Sequence, residues 1–236
     1  MPPGTGRDRV PRWVKAAFRA DPERDAEQIR PTAVNAPDVV QGLGSIVLAA
    51  GCSRRLGTSK QLLELGGEPL VRRAARVAVE AGLWPVVVVV GDRAEEVRAA
   101  LAGLPVVTVA NAVVLQGLSG SIRVGLERLA ECAPGARGVV MLACDQPAVQ
   151  ASHLRALAAA QRDPAALVAS SYGGALGVPT LVPAALFSEL RALTGEGGCG
   201  DLLVRHAARV VPVPLPGGDL DVDTPEDWAR AKRLDG

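Results

Sequence analysis

The chain has 236 residues, 48% of them hydrophobic, enough for one sizeable core with a further segment beside it. Its 26 basic and 25 acidic residues leave a formal charge of +1, which excludes a nucleic-acid surface held by bulk charge. Aromatics at 3% exclude a stacking platform for single strands, so any phosphate affinity must come from a local site.

Residues 1–42 differ from the rest of the chain: they hold 6 of the 18 prolines and charges of both signs. Trp13–Arg30 is compatible with a helix but shows no apolar stripe, so a mobile or loosely helical extension is expected there, with 43–236 as the folded unit. From Ser45 onward, strands are expected at Ser45–Ala49, Val86–Val90, Val106–Ala110, Val139–Ala143, Leu167–Ser170, Pro179–Val182 and Val210–Val213. Several are continuous in Val, Ile and Leu, as strands covered on both faces are. Leu70, Ala74, Val77, Ala78 and Ala81 recur at helical spacing before a Gly82 stop, and Ile122, Leu126 and Leu129 form a second stripe. Further helices are expected at Ala94–Leu101, Ser152–Gln161, Ala184–Leu193 and Pro225–Arg233. Strands alternating with helices predict a Rossmann-like, three-layer α/β/α fold with a mostly parallel sheet, whose ligands sit beyond the carboxyl ends of the strands.

Cysteines stand at 52, 132, 144 and 199 with no CxxC pair, which argues against structural zinc and fits reduced thiols. The first charges are followed by no apolar h-region, and runs such as Val86–Val90 are far too short to span a bilayer. A cytoplasmic location without membrane or nucleic-acid partners is therefore expected.

The strongest chemical signal comes directly after the first strand: Leu48-Ala49-Ala50-Gly51-Cys52-Ser53-Arg54-Arg55-Leu56-Gly57-Thr58-Ser59-Lys60. Its glycines permit close backbone approach, its N–H groups can cradle an anion, and Arg54, Arg55 and Lys60 supply the charge that a triphosphate requires. The pattern is neither GxxxxGK[ST] nor GxGxxG, and the bland alternative is a solvated basic turn. Two acidic motifs also stand after strands. Asp145 lies in Cys144-Asp145-Gln146-Pro147, and Asp221 and Asp223 lie in Asp221-Val222-Asp223-Thr224-Pro225-Glu226-Asp227. Strand-end carboxylates suit a Mg²⁺ that keeps waters and substrate phosphates. Thr224 or Asp223 can instead cap the last helix with Pro225 at its first position, but capping leaves Asp221 unexplained. A third segment, Asn111 to Ile122, leads from a strand into a helix; its serines are plausible caps, whereas Gln116-Gly117-Leu118 is less easily explained so.

These segments together resemble the MobA-like nucleotidyltransferases. The first loop is similar to their LAAGxSxRMGxxK signature, most of all in the branch that contains molybdenum-cofactor cytidylyltransferase, and the resemblance runs through residues 45–230. It implies an NTP-binding fold of the nucleotide-diphospho-sugar transferase type. Leu48, Ala49, Ala50, Gly51, Ser53, Arg54 and Lys60 would contact nucleotide. Arg55 and Lys60 would act catalytically on triphosphate charge. Asp145 is similar to the metal-binding Asp of a CDxP motif and Asp223 to that of a DIDTPED segment, which implies Mg²⁺ held by both. Gln116, Gly117 and Ser121 match an NPxxxxGxxxS pattern near base and ribose.

The implied reaction moves CMP from CTP to a phosphorylated acceptor, molybdopterin in the resemblance, releases pyrophosphate, and hands the product to a molybdoenzyme. Ala49-Ala50-Gly51, where guanylyltransferase relatives more often read LAGG, favours CTP over GTP. Two motifs depart from the family: Val178 replaces the His of Gly-His-Pro, and Gly200 replaces the Arg of a GDxGAR-like loop, which removes basic partners for an acidic acceptor. Cys199 has no nearby His in sequence, and His153 and His206 are read as packing or surface residues. The alternatives are a GTP-using or other-acceptor transferase, a non-catalytic cofactor carrier that would need no metal-binding acids, and an oxidoreductase, against which the lack of GxGxxG in the loop after the first strand speaks.

Overall fold

The structure, a computed structural model, describes residues 40–51, 56–111 and 117–234. The expected extension at 1–42 therefore lies almost wholly outside the described residues, as do Cys52, Ser53, Arg54, Arg55 and Gln116.

Five consecutive valines form β4 (Val86–Val90), and none exposes any surface. β-Branched side chains suit a pleated strand, and full burial on both sides suits a central one. β4 pairs in parallel with β1 (Leu43–Ala49) and β5 (Val107–Ala110). On its other side β1 pairs in parallel with β6 (Gly138–Ala143). The seven-stranded sheet continues through a hairpin of β7 (Leu167–Tyr172) and β8 (Ala175–Pro183) to β9 (Val210–Pro214), in the order β5-β4-β1-β6-β8-β7-β9. β8 is antiparallel to both β6 and β7, and β9 is parallel to β7. All other strands of this sheet therefore run one way, and their exit loops gather at one edge.

Sequence reading separates β7 and β8 into two short runs. The structure joins them through Gly173-Gly174, both at positive φ, which extends each strand to the turn. A second hairpin, β2 (Glu64–Leu65) and β3 (Glu68–Pro69), turns on Gly66-Gly67 and has no counterpart among the expected elements.

Side-chain alternation along the sheet divides the core in two. Val47, Val88, Val90 and Leu142 face one layer, with α1 (Leu70–Ala81), α2 (Ala94–Ala100) and α4 (Ala151–Ala160). Ile46, Val87, Val89 and Met141 face the other, with α3 (Gly117–Cys132), α5 (Phe187–Arg191) and α6 (Cys199–Arg205). The expected three-layer α/β/α fold with a mostly parallel sheet is what the chain adopts. α1 ends as its sequence predicts: Gly82 takes a left-handed conformation, and its N–H bonds back to Ala78 and Val79. The helix expected over 184–193 begins as a 3₁₀ turn and becomes α-helical at Phe187. α6 begins in the glycine-rich segment 195–200, which reads as loop in the sequence; the Asp201 carboxylate accepts the Gly198 N–H at 2.9 Å and starts the helix.

The last helix, α7 (Pro225–Leu234), covers neither face of the large sheet. Ala231 and Trp228 pack with Leu65, Leu70, Leu220 and Val222, against the small hairpin that comes after Lys60. This satellite core brings the end of the chain to the first loop.

Candidate active site

β1 delivers Ala49 and Ala50, both buried, to the strand edge, and Gly51 is exposed beyond them. The two ends of the next loop are tied by a residue that sequence reading missed. Gln61, 3% exposed, donates from Nε2 to the Gly51 carbonyl at 2.6 Å and accepts from Ser59 Oγ at 2.6 Å. Beside this loop lies a cavity of about 430 Å³, lined by Ala49, Ala50, Gly51, Ser59, Gly91 and Asp92 among others. That volume lies in the range of small-molecule sites. Gly91 is forced by proximity, since a Cβ there would stand 2.7 Å from the Ala50 carbonyl. Gly91, Asp92 and Arg93 were also missed; the strand-end rule points to them only once β4 is known to lie beside β1.

Lys60 begins the 3₁₀ turn Lys60–Leu62. Its ammonium donates to Asp145 Oδ2 and to Asp223 Oδ1, the latter at 2.7 Å. Asp145 leaves β6, the parallel neighbour of β1, so its loop lies next to the one that carries Lys60. The direction in which strands are added reverses between β1 and β6, with β4 and β5 on one side and β6 on the other, and ligands of open α/β sheets bind at such a point. Burial alone would depress the Lys60 ammonium; Asp145 first, then Asp223, override it and hold its pKa above the ordinary lysine value.

Two further features shape the acidic edge. Thr224 caps α7 reciprocally with Asp227: the Asp227 N–H donates to Thr224 Oγ1 at 3.2 Å, and the Asp227 carboxylate accepts the Thr224 N–H at 3.0 Å and its hydroxyl at 2.7 Å. Capping is thus the work of Thr224, while the Asp223 carboxylate accepts from Lys60. Gln146, 5% exposed, donates to Tyr172 Oη at 3.3 Å, and that hydroxyl donates to the Val178 carbonyl at 3.0 Å. Partial burial and then Asp145 push Asp221 above the ordinary carboxylate range, against a hydrogen bond from Gln146.

Donor chemistry fits a hard divalent cation. Asp145 and Asp223 present carboxylate oxygens within reach of one ammonium, and Asp145 Oδ1 is buried with no hydrogen-bond partner among the described residues. Among the described residues no three His, Cys, Asp or Glu side chains form a group that could hold a metal ion, so a cation on these two carboxylates would have to complete its shell with waters and phosphates.

The other residues singled out in the sequence lie around this centre or away from it. Leu48 is half-buried and packs on the second core layer. Ser121, buried, accepts from Asn111 Nδ2 at 3.0 Å, a bond that ties the end of β5 to α3 across residues 112–116. Gly117 takes φ +70°, and a Cβ there would lie 2.5 Å from the Gly195 carbonyl. Gly117, Ser121, Asp145, Asp223 and Lys60 itself do not line the cavity, although Ser59 and Gln61 on either side of Lys60 do. Val178 packs at the edge of the second core layer, and Gly200 is exposed in α6. Burial pushes the Cys199 thiol up to about 12 and raises Cys144 too, so neither is a nucleophile near neutrality. His153 is buried and bonded to Ser170 Oγ at 2.8 Å, and His206 pairs with Glu189 at 3.1 Å; both are structural. Among the described residues no helix is long and apolar enough to cross a membrane.

Residues 45–210 match the MobA-like NTP transferase domain. The chain is 33% identical to purine catabolism protein PucB of Bacillus subtilis, over 80% of this chain and 95% of that one. It is 32% identical to the molybdenum cofactor guanylyltransferase of Cereibacter sphaeroides, over 81% of this chain and 96% of that one. The crystal structure of Rv0371C from Mycobacterium tuberculosis in complex with manganese superposes with a TM-score of 0.64 at 31% identity, covering 81% of this chain and 98% of that chain. A lysine and two carboxylates meet at the switch point beside a glycine loop, and the chain that builds this arrangement belongs to the MobA-like nucleotidyltransferases.

Proposed function

We propose that this nucleotidyltransferase moves CMP from CTP to a terminal phosphate of a small acceptor of the molybdopterin type and releases pyrophosphate. The observation that carries the reading is the convergence of Lys60, Asp145 and Asp223, with Lys60 flanked in the chain by the cavity-lining Ser59 and Gln61. The acceptor's phosphate oxygen forms a bond to the α-phosphorus, the bond from that phosphorus to the bridging oxygen breaks, and pyrophosphate leaves. Lys60 holds a positive charge against the triphosphate, and the loop from Ala49 to Lys60, with Ser53, Arg54 and Arg55, wraps it. Gln116, Gly117 and Ser121 lie toward base and ribose in this reading. Asp145 and Asp223 would hold Mg²⁺, which when bound neutralises charge on the transferring phosphates. The manganese in the complex of the mycobacterial protein supports a divalent cation as cofactor. No protein nucleophile is needed.

The name of the Cereibacter relative supports a molybdenum-cofactor acceptor and favours GTP, whereas Ala49-Ala50-Gly51 favours CTP; the base is the second reading. Under either base, residues 43–236 form the catalytic unit, residues 1–42 extend it, and a molybdoenzyme receives the product. Pyrophosphate release measured with each NTP against molybdopterin separates the bases. Asp145→Asn is expected to lower that release by about 10²–10³-fold with an unchanged circular dichroism spectrum, in line with the loss of one preorganised transition-state group. Undiminished release from a folded Asp145→Asn protein removes Asp145 from the mechanism.

A further inference from the structure

We propose that Lys60 is the internal counter-ion of the carboxylate pair: it holds, in the nucleotide-free chain, the place between Asp145 and Asp223 that a divalent cation takes, and it gives that place up when nucleotide arrives. The inference rests on the reading that these two carboxylates hold the metal.

One ammonium touches one oxygen of each acid, Asp145 Oδ2 and Asp223 Oδ1, so it already bridges them as a shared cation would. It satisfies the pair incompletely, because Asp145 Oδ1 stays buried without a partner among the described residues. The base of the lysine is held by main chain, whereas its ammonium is held by side-chain bonds at the end of a flexible stem. The Lys60 carbonyl accepts the Leu63 N–H at 3.2 Å, and the neighbouring Gln61 is anchored to Gly51. Four methylenes then let the ammonium swing without the backbone moving. An ammonium and a divalent ion repel each other strongly at contact distance in a half-buried site, so the two exclude each other from the same oxygens.

The exchange acts on both ligands. Metal binding to the chain alone is weakened by the small fraction of molecules in which Lys60 stands aside. A triphosphate offers Lys60 another anion, so nucleotide and metal strengthen each other's binding, and the coupling is reciprocal.

The test is calorimetric titration of Mn²⁺ into nucleotide-free wild type, Lys60→Met, Lys60→Arg and Asp145→Asn, each shown to be folded by its thermal transition. Lys60→Met is expected to bind Mn²⁺ at least about tenfold more tightly than wild type, and Lys60→Arg to stay within about twofold of it. An α,β-methylene analogue of CTP is expected to tighten Mn²⁺ binding to wild type by a larger factor than to Lys60→Met, because only wild type adds the release of Lys60 to the phosphate ligands. Lys60→Gln, neutral and polar, replaces Lys60→Met if the latter does not fold. Should Lys60→Met and Lys60→Gln bind Mn²⁺ no more tightly than wild type while Asp145→Asn abolishes binding, the metal site stands and the exchange is overturned. Should Asp145→Asn bind Mn²⁺ as wild type does, the metal reading itself fails and the exchange with it.

Discussion

The Val222 N–H donates to the carbonyl of Asp145 at 3.0 Å. This backbone bond joins the loop that leaves β6 to the segment between β9 and α7. It brings Asp223, one residue on, to the same side of Lys60 as Asp145. The acidic pair is thus held by main chain, which side-chain substitutions at the site leave in place.

Gln61 sets the span of the first loop through Gly51 and Ser59. Gln61→Leu keeps the volume and removes both bonds. The expected result is a KM for NTP raised about tenfold with a smaller change in kcat, because a looser loop binds ground and transition states alike less well. Steady-state pyrophosphate release measures it, and an unchanged KM sinks the role given to Gln61.

Thr224 caps α7 and sits directly after Asp223. Thr224→Ala is expected to cost about 1 kcal/mol of stability through the lost cap. Thr224→Ser, which keeps the hydroxyl, should restore most of it. Urea unfolding of the two variants provides the comparison, and equal stability of Ala and Ser variants contradicts the cap.

Gly117 starts α3 at φ +70° against the Gly195 carbonyl. Gly117→Ala is expected to lose about 1–2 kcal/mol from the left-handed backbone alone, and more from the contact. A melting temperature equal to that of wild type would show that the loop at 195 yields freely.

His153 is buried and neutral, and burial holds its pKa below the ordinary 6.5. The unfolded chain therefore binds a proton first on acidification. The stability that neutral His153 contributes is present above pH 6.5 and falls as pH drops through 6.5 toward the depressed folded value. Urea midpoints measured from neutral to mildly acidic pH should decline in wild type and decline less in His153→Gln. Parallel slopes in the two proteins rule the histidine out as the cause.

Much of this protein is legible in one dimension. Continuous valine runs require strands covered on both faces, the stripe from Leu70 to Ala81 requires a helix, and glycine with arginine and lysine after the first strand signals an anion loop. These are local consequences of period, burial and backbone freedom. Short elements are less legible: α6 starts among glycines, and both hairpin turns join runs too brief to read as paired strands.

Which residues meet was decided at longer range. Asp145 is 85 residues from Lys60 and Asp223 is 163 residues away. No spacing rule links them. They touch because β6 pairs with β1 rather than with β5, and because α7 packs on the hairpin after Lys60 instead of on the large sheet. Composition and pattern alone fixed the chemistry available at each strand end, since backbone and side-chain preferences are set within a few residues. The order of the strands, which comes from burying two helical layers on one sheet, decided which of those ends form a site.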